Sequence, residues 1–533
     1  MPLAISLFVV VAAAIVGAWS WLGAPVPMPA APLAANEKLY CVSYAPFRGQ
    51  QNPLDASTVI DPRQIEDDLA RLARVTNCIR TYSIEHGLDQ IAGIAARHGL
   101  KVMQGIWVSS NPAKTGREVE TVVALAKRYP DVIRSVIVGN EVLLRGEMTG
   151  SDLATLIRSV KGQIQVPVTY ADVWEFWLRH PQVYDAVDFV TIHILPYWED
   201  FPIAAEQSAP HVDSIRRRVL QAYPGKEILI GETGWPSAGR MREGALPSPI
   251  NQARVIHEVL AAAHRGQYRV NVIEAFDQPW KRWLEGTVGG HWGLLDADIR
   301  RAKFAWGEPV SNHPQWRLQA AGGMALAAVV FAAAWFGGRR DTKPAAGAWA
   351  AVTAIAAVAG VLIGWTVEKA LIESLGLGGW LRSAILVALA IGSPAAVAVA
   401  WMWDTPCPHL AEVLGGTGRP TRVALALGWG LALLCAMAMH VALGLVFDPR
   451  YRDFPFTALT AAAVPYLLLL FRHPPPRQSP RAAELASAGV LGLSAIYIVF
   501  NEGFANWQAL WFAGALIALV ATLLRAAIAR SSR

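Results

Sequence analysis

Cysteine is scarce in this sequence, with four residues in 533. Cys41, Cys78, Cys407 and Cys435 are far apart and show no paired zinc-ligand spacing, so we expect no metal and no cofactor. Cys41 and Cys78 fall on neighbouring predicted strands, where a disulfide is compatible with a compartment outside the cytoplasm. Two buried free thiols are the simpler interpretation.

Other features are missing as well. The net charge of +6 is spread along the chain without a basic stripe, which argues against nucleic acid as a partner. No Asn-x-Ser/Thr sequon occurs, which favours a bacterial source, because a secreted eukaryotic domain usually carries one. Charge is sparse after Asn312 and 53% of all residues are apolar, so part of the chain is expected to lie in lipid.

Long apolar runs divide the chain. Residues 1–24 contain an uncharged run, Leu3 to Gly23, which is long enough to cross a bilayer as a helix or could serve as a cleaved signal segment. Residues 25–38 read as a Pro/Ala-rich linker. Residues 318–525 form a predicted membrane domain of about seven helices. Its spans are Leu318–Gly338, Ala345–Val367, Ala384–Trp403, Val423–Val446, Phe454–Phe471, Leu485–Phe500 and Trp507–Leu524.

Positive charges between these spans predict their orientation, because Lys and Arg accumulate on the cytoplasmic side. If every span crosses, one face holds Arg339, Arg340, Lys343, Arg419, Arg422, Arg472, Arg477, Arg481, Arg525, Arg530 and Arg533. The other face holds Lys369, Arg382, Arg450 and Arg452. The sequence therefore predicts a multi-pass protein of the bacterial inner membrane, with both termini in the cytoplasm and residues 39–310 in the periplasm.

Residues 39–310 have the alternating pattern of an α/β domain. Eight β-branched runs alternate with helical patterns, one of which starts at Pro62 with Asp61 as its cap. The runs begin at Leu39, Cys78, Lys101, Val132, Val166, Ala186, Glu227 and Val270. Such alternation predicts a parallel sheet, and eight strands predict a closed (β/α)8 TIM barrel, fused here to an all-α polytopic membrane domain.

Two of the predicted strands end in a carboxylate. The run VIVGNEV ends in Glu141, directly after Asn140, and ILIGETGWPSAG places Glu232 at the end of another strand. Barrel enzymes carry their catalytic groups at the carboxyl ends of the strands. Because most glycosidases use a pair of carboxyl groups, the two acids predict a glycosidase.

The motifs GNE and ETGWPS together resemble glycoside hydrolase family 17, whose members act on β-1,3-glucan. The resemblance covers about half of the chain. It implies a retaining reaction in which Glu141 is the acid/base and Glu232 the nucleophile. It also implies that Asn140 hydrogen-bonds the sugar 2-hydroxyl.

Further site residues follow from this resemblance. VSYAPF and CIRTYS are similar to the family's first two strands and carry over Tyr44, Arg80 and Tyr82 as substrate-site residues. A tyrosine there would orient the nucleophile and an arginine would keep it ionised, although Arg80 could instead neutralise buried acids. HILPYW resembles an aromatic element of the sixth strand and carries over Tyr197. His193, just before it, either faces the site or is a core histidine.

The eighth strand departs from the family pattern. EAFDQPWK has Gln278 where plant members have a glutamate, but it retains Lys281, which carries over as a substrate-binding residue. Glu274 and Asp277 are candidate polar contacts or structural residues. Tryptophans can stack on the C–H faces of sugars, and the substrate-binding candidates of this type are Trp235, Trp280 and Trp283.

The resemblance leaves open whether a glucosyl intermediate passes to water or to another sugar. We favour a β-1,3-glucanosyltransferase that remodels or branches β-1,3/β-1,6-glucan, because an enzyme tethered to a membrane gains little by digesting external glucan there. An endo-β-1,3-glucanase is the alternative; a catalytically silent glucan sensor and a glucan exporter are further ones. The expected partners are β-glucan oligo- or polysaccharide, the lipid bilayer and a membrane glucan synthase.

Overall fold

The computed structural model describes residues 2–337, 347–416, 420–473 and 482–528. The chain divides into two compact units, Val26–Val310 and the combination of Met1–Pro25 with Ser311–Arg533. Many of the charges used to predict orientation lie outside the described residues, as do the predicted span ends Gly338 and Ala345. These charges are Arg339, Arg340, Lys343, Arg419, Arg477, Arg481, Arg530 and Arg533.

The unit Val26–Val310 contains a closed barrel of eight parallel strands, paired in sequence order with β1 beside β8. The strands are β1 Cys41–Ser43, β2 Cys78–Arg80, β3 Lys101–Ile106, β4 Ile133–Asn140, β5 Val168–Val173, β6 Val190–His193, β7 Ile228–Thr233 and β8 Val270–Val272. The predicted TIM barrel is therefore confirmed.

Helices follow the strands and cover the outside of the barrel. They are α2 Pro62–Leu72, α3 Ile91–Arg97, α4 Pro112–Arg128, α5 Gly150–Lys161, α6 Trp174–Arg179, α7 Ala205–Ala222, α8 Pro249–Gly266 and α9 Arg282–Gly289, with short 3₁₀ turns at Glu85–Gln90, Pro181–Ala186 and Pro279–Lys281. Helix α2 begins as the sequence predicts, since Pro62 occupies its first turn and the Asp61 side chain accepts a hydrogen bond from the Arg63 amide.

Residues from six of the strands form a small apolar cluster inside the barrel, made of Cys41, Cys78, Met103, Ile137, Ala171 and Leu229. Cys41 and Cys78 are joined there by a disulfide. The interpretation of these residues as two free thiols was therefore wrong. The residues start two neighbouring parallel strands, and both side chains point to the same interior, so their sulfur atoms meet.

The second unit is helical. Its helices are α1 Pro2–Leu22, α10 Trp316–Gly337, α11 Ala348–Glu373, α12 Gly376–Trp403, α13 Leu410–Gly415, α14 Arg422–Phe447, α15 Phe456–Arg472, α16 Ala482–Glu502 and α17 Trp507–Ile528. Among the described residues, seven of these helices are long and apolar enough to span a membrane, and α15 is a shorter apolar helix.

Candidate active site

Glu141 and Glu232 lie together at the carboxyl end of the barrel. Glu232 is the fifth residue of β7, and Glu141 directly follows Asn140, the last residue of β4. One carboxylate oxygen of each acid and one ring nitrogen of His193 all lie within 4.8 Å of one another. The Glu232 side chain is 6% exposed and that of Glu141 is 23% exposed, so Glu232 is the deeper acid.

Arg80, the last residue of β2, connects both strand ends. One guanidinium nitrogen donates to Glu232 Oε1 at 3.0 Å and to the Gly231 carbonyl at 2.7 Å, and the other donates to Asn140 Oδ1 at 2.6 Å. Glycine is required at 231, because a Cβ atom there would lie 2.3 Å from a methyl group of Thr191. The buried guanidinium therefore places a positive charge directly against the deeper carboxylate.

The tyrosine that holds Glu232 is Tyr82. Its hydroxyl lies 2.8 Å from Glu232 Oε1 and 2.9 Å from Ser43 Oγ. Burial raises the pKa of Tyr82 well above its usual value, and the charge of Glu232 adds to this effect, so the hydroxyl remains a donor. The expected role of Tyr44 is corrected, because its hydroxyl donates to Asp68 Oδ2 at 3.1 Å instead.

His193, the last residue of β6, bridges the two acids. Its Nδ1 lies 2.8 Å from Glu141 Oε1, and its Nε2 lies 3.6 Å from Glu232 Oε1 and 3.2 Å from an Arg80 nitrogen. An Nδ1–H tautomer satisfies both sides, since Nδ1 then donates to Glu141 and Nε2 accepts from Arg80. The histidine that the sequence left undecided thus belongs to the site.

The surroundings of Glu141 favour its ionised form. Burial alone would raise the pKa of this carboxyl group, but the hydrogen bond from His193 opposes that effect, the charges of Arg80 and Arg145 oppose it as well, and the pKa is lowered. In the unliganded site, Glu141 is therefore suited to accept a proton. To donate one, it must first become protonated.

The same three side chains could also be considered as metal ligands, because Glu141, His193 and Glu232 each offer one atom within a 4.8 Å set. Arg80 opposes such a site. It already places a guanidinium nitrogen 3.0 Å from Glu232 Oε1 and 3.2 Å from His193 Nε2, so its positive charge lies against two of the groups that a cation would need. Two carboxylates with a buried arginine fit acid–base and nucleophilic chemistry better.

Comparison with known families agrees with this chemistry. A family model described as the BtgE/BtgC glycoside hydrolase domain matches residues 41–293. The barrel domain is therefore similar to the BtgE/BtgC glycoside hydrolase domain. The resemblance to family 17 that was drawn from the motifs GNE and ETGWPS is thereby confirmed.

Individual relatives of this glycoside hydrolase domain include fungal proteins. A glucan 1,3-beta-glucosidase of Candida albicans is 28% identical over 267 residues, which cover 46% of this chain and 86% of that protein. A probable beta-glucosidase of Aspergillus fumigatus is 27% identical over 262 residues, covering 48% of this chain and 45% of that protein. Among solved structures, a family 17 beta-1,3-glucanosyltransferase of Rhizomucor miehei is 26% identical, with coverages of 50% and 96% and a TM-score of 0.45.

Lys281 lies in a second charged group of the domain, after β8. Its Nζ donates to Glu274 Oε2 at 2.9 Å. Burial raises the pKa of Glu274 to about 7, and the charge of Glu232 adds to the rise although Lys281 opposes it. The ionisation of Glu274 therefore depends on the charge of Glu232. Asp277, in contrast, bonds Lys303 and the Gly293 amide, which is a structural role.

Two of the aromatic site predictions need correction. Tyr197 is fully buried, and its hydroxyl donates to the Arg240 carbonyl at 2.9 Å. Trp235 is also fully buried, and its indole nitrogen donates to the Leu246 carbonyl at 3.0 Å. The two rings pack edge to face, with centroids 6.1 Å apart. Neither ring exposes a face to a sugar, and both instead hydrogen-bond the loop that follows β7.

Trp280 and Trp283 lie after β8, where the chain leaves the barrel. The Trp280 indole donates to Gln278 Oε1 at 2.9 Å, and its ring packs edge-on against Phe47. Gln278, which replaces the glutamate of plant members, is buried and also donates to the Ala45 carbonyl. Trp283 is 65% exposed. A sugar-stacking role for these two tryptophans stays a prediction.

Proposed function

We propose that the protein is a retaining β-1,3-glucanosyltransferase, with Glu232 as nucleophile and Glu141 as acid/base. The observation that carries the proposal is the separation of the two carboxylates, whose oxygens approach within 4.8 Å. Retaining enzymes hold their carboxyl groups about 5–5.5 Å apart, whereas inverting enzymes need about 6.5–9.5 Å to admit a water molecule. Relatives named glucan 1,3-beta-glucosidase support β-1,3-glucan as the substrate.

The contacts assign a role to each side chain. Arg80 and Tyr82 both bond Oε1 of Glu232, so Oε2 is the oxygen left to attack the anomeric carbon. As that bond forms, the bond from the anomeric carbon to the leaving glucan oxygen breaks, and Glu141 gives its proton to that oxygen. Asn140 already accepts from Arg80 through Oδ1, and its amide nitrogen would donate to the sugar 2-hydroxyl.

The second step releases the glucosyl group. The Glu141 carboxylate removes a proton from an acceptor hydroxyl, whose oxygen bonds to the anomeric carbon while the bond to Glu232 breaks. The lowered pKa of Glu141 suits this base step. A bound sugar can outcompete water, because an oriented hydroxyl has an effective molarity of up to about 10⁵–10⁸ M.

Product analysis tests this proposal. The full-length protein in detergent is incubated with laminaripentaose at millimolar concentration, and the products are followed by mass spectrometry. Transfer predicts products longer than the pentaose, and Glu232→Ala should abolish both longer and shorter products. If the wild type gives only shorter sugars, the transferase proposal fails and the protein is a hydrolase, with an endo-β-1,3-glucanase as the alternative; the word glucosidase in the relatives' names also denotes hydrolysis.

We also propose that the barrel works in the periplasm of a bacterium and that the helical unit holds it to the inner membrane. The disulfide between Cys41 and Cys78 supports a compartment outside the cytoplasm, because disulfides persist in oxidising environments. Seven helices support a membrane anchor, and α15 must cross as an eighth if both termini are cytoplasmic. A periplasm-specific reporter fused after residue 533 should then be inactive; activity there would contradict this topology.

A further inference from the structure

Two side chains of β5, those of Tyr170 and Asp172, hydrogen-bond to the turn that carries Glu141. The amide of Leu143 donates to the Tyr170 hydroxyl oxygen at 3.0 Å and to Asp172 Oδ2 at 3.3 Å. The next amide, that of Leu144, donates to the same Asp172 oxygen at 3.4 Å, and the Tyr170 hydroxyl also donates to it. Asp172 Oδ2 therefore accepts from two backbone amides of this turn and from the Tyr170 hydroxyl.

Glu141 needs such support because its backbone is strained. Its φ angle is +53°, in the left-handed region that non-glycine residues rarely adopt. A conformation of this kind costs about 1–3 kcal/mol and persists only where the surroundings impose it. The Glu141 amide donates a hydrogen bond to the Ala171 carbonyl at 2.8 Å. The side chains on either side of Ala171, those of Tyr170 and Asp172, accept from the Leu143 amide two residues later.

Asp172 and Tyr170 expose no surface to a bound sugar. Ala171, between them, belongs to the apolar cluster inside the barrel, and side chains alternate along a strand, so its two neighbours point outward. Both are fully buried, and Tyr170 packs against Trp177 of α6. Any effect of these two residues on the reaction must therefore act through the turn.

We infer that Asp172 and Tyr170 are positioning residues, which hold the strained turn after β4 so that the Glu141 carboxyl group meets the glycosidic oxygen. The inference rests on the proposed acid/base role of Glu141. The environment of Asp172 disfavours its ionised form, because burial raises its pKa to about 6 and the charge of Glu141 adds to this rise.

The test compares two substrates of the full-length protein. Laminaritetraose has a poor leaving group that needs protonation by an acid, whereas a 2,4-dinitrophenyl β-laminaribioside does not. In Asp172→Asn, an NH2 group replaces one of the two acceptor oxygens. Both oxygens accept from backbone amides, Oδ1 from Val173 and Oδ2 from Leu143 and Leu144, so the NH2 group faces a donor in either orientation. We expect kcat/KM on laminaritetraose to fall about 100-fold, with little change on the aryl substrate.

Tyr170→Phe is the milder variant, and it keeps the test decisive if Asp172→Asn does not fold. It should shift the ratio of the two kcat/KM values in the same direction. The matched control is Asp188→Asn, which replaces one oxygen of the carboxylate that accepts from the Val168 amide at the opposite end of β5 and should leave the ratio at the wild-type value.

The outcomes separate this inference from the proposed function. Glu141→Ala must itself lower kcat/KM selectively on laminaritetraose; if it lowers both substrates equally, the acid/base assignment is wrong. If Glu141→Ala shows the selective loss but the folded variant at Asp172 or Tyr170 keeps the wild-type ratio, the positioning inference is overturned. A lower melting temperature with an unchanged ratio indicates a structural role only and also overturns it.

Discussion

Replacement of His193 by phenylalanine should move the pH dependence of the reaction. The variant keeps an aromatic ring, but Glu141 loses the donor at 2.8 Å that helps to lower its pKa. The pKa of Glu141 should therefore rise. Because the first chemical step needs protonated Glu141, the variant should remain active in that step at higher pH than the wild type.

The size of the shift follows from the strength of the lost hydrogen bond. A bond to a charged group contributes about 1.5–3 kcal/mol. Since one pKa unit corresponds to about 1.36 kcal/mol, the basic limb of the kcat/KM profile should move upward by about one to two pH units. The base step of transfer should slow at neutral pH, because less Glu141 is then in the carboxylate form.

The assay is the pH profile of kcat/KM on laminaritetraose, which reports the ionisation of the free enzyme. His98→Phe is the matched control, since His98 pairs with Glu66 away from the site and its loss should leave the profile unchanged. If the basic limb of His193→Phe coincides with that of the wild type, the hydrogen bond does not set the pKa of Glu141 and the reasoning fails.

Three further predictions concern other contacts of the barrel. Tyr82→Phe should lower kcat/KM on laminaritetraose about 10- to 100-fold through loss of a charge-assisted bond to the nucleophile candidate; Tyr44→Phe should cost less, and equal losses would contradict the assignment. Replacement of Cys41 and Cys78 by serine removes a disulfide that links residues 37 positions apart, and it should lower the free energy of unfolding by about 4 kcal/mol. Denaturant titrations measure this loss, and reductant should produce the same loss in the wild type; an unchanged midpoint would contradict the prediction. The native pKa of Asp172, about 6, exceeds the ordinary 3.8, so the folded state binds this proton more tightly than the unfolded chain does. Between pH 4 and 7 the wild type should therefore lose about 2.4 kcal/mol of stability relative to Asp172→Asn; parallel stability curves would refute it.

The strands and the two acids could be predicted because their signals are local. A run of β-branched residues favours a strand wherever it lies, and a polar residue after a buried run marks the strand end. The start of α2 was equally predictable, since the Asp61 side chain bonds an amide only two residues away. Parallel strands in a barrel bring their carboxyl ends to one face, so the approach of Glu141 and Glu232 followed from the fold class.

The roles of the tyrosines depend on which face of each strand points inward. Cys41 and Cys78 both face the interior, so Ser43 and Arg80, two residues further on, also face it. Tyr82 continues the inward series of β2, whereas Tyr44 follows Ser43 and turns outward to Asp68. Sequence similarity places both tyrosines at strand ends but carries no information about the inward face.

The sequence by itself determined the barrel, the apolar helices and the pair of acids, because each depends on composition and spacing within a few residues. Only the tertiary structure decided that His193 bridges the acids, since its position opposite Glu232 depends on a shift of register between β6 and β7. The disulfide likewise required the first residues of two strands to share one interior. Such contacts join residues that are distant in the chain, and only strand register and side-chain facing bring them together.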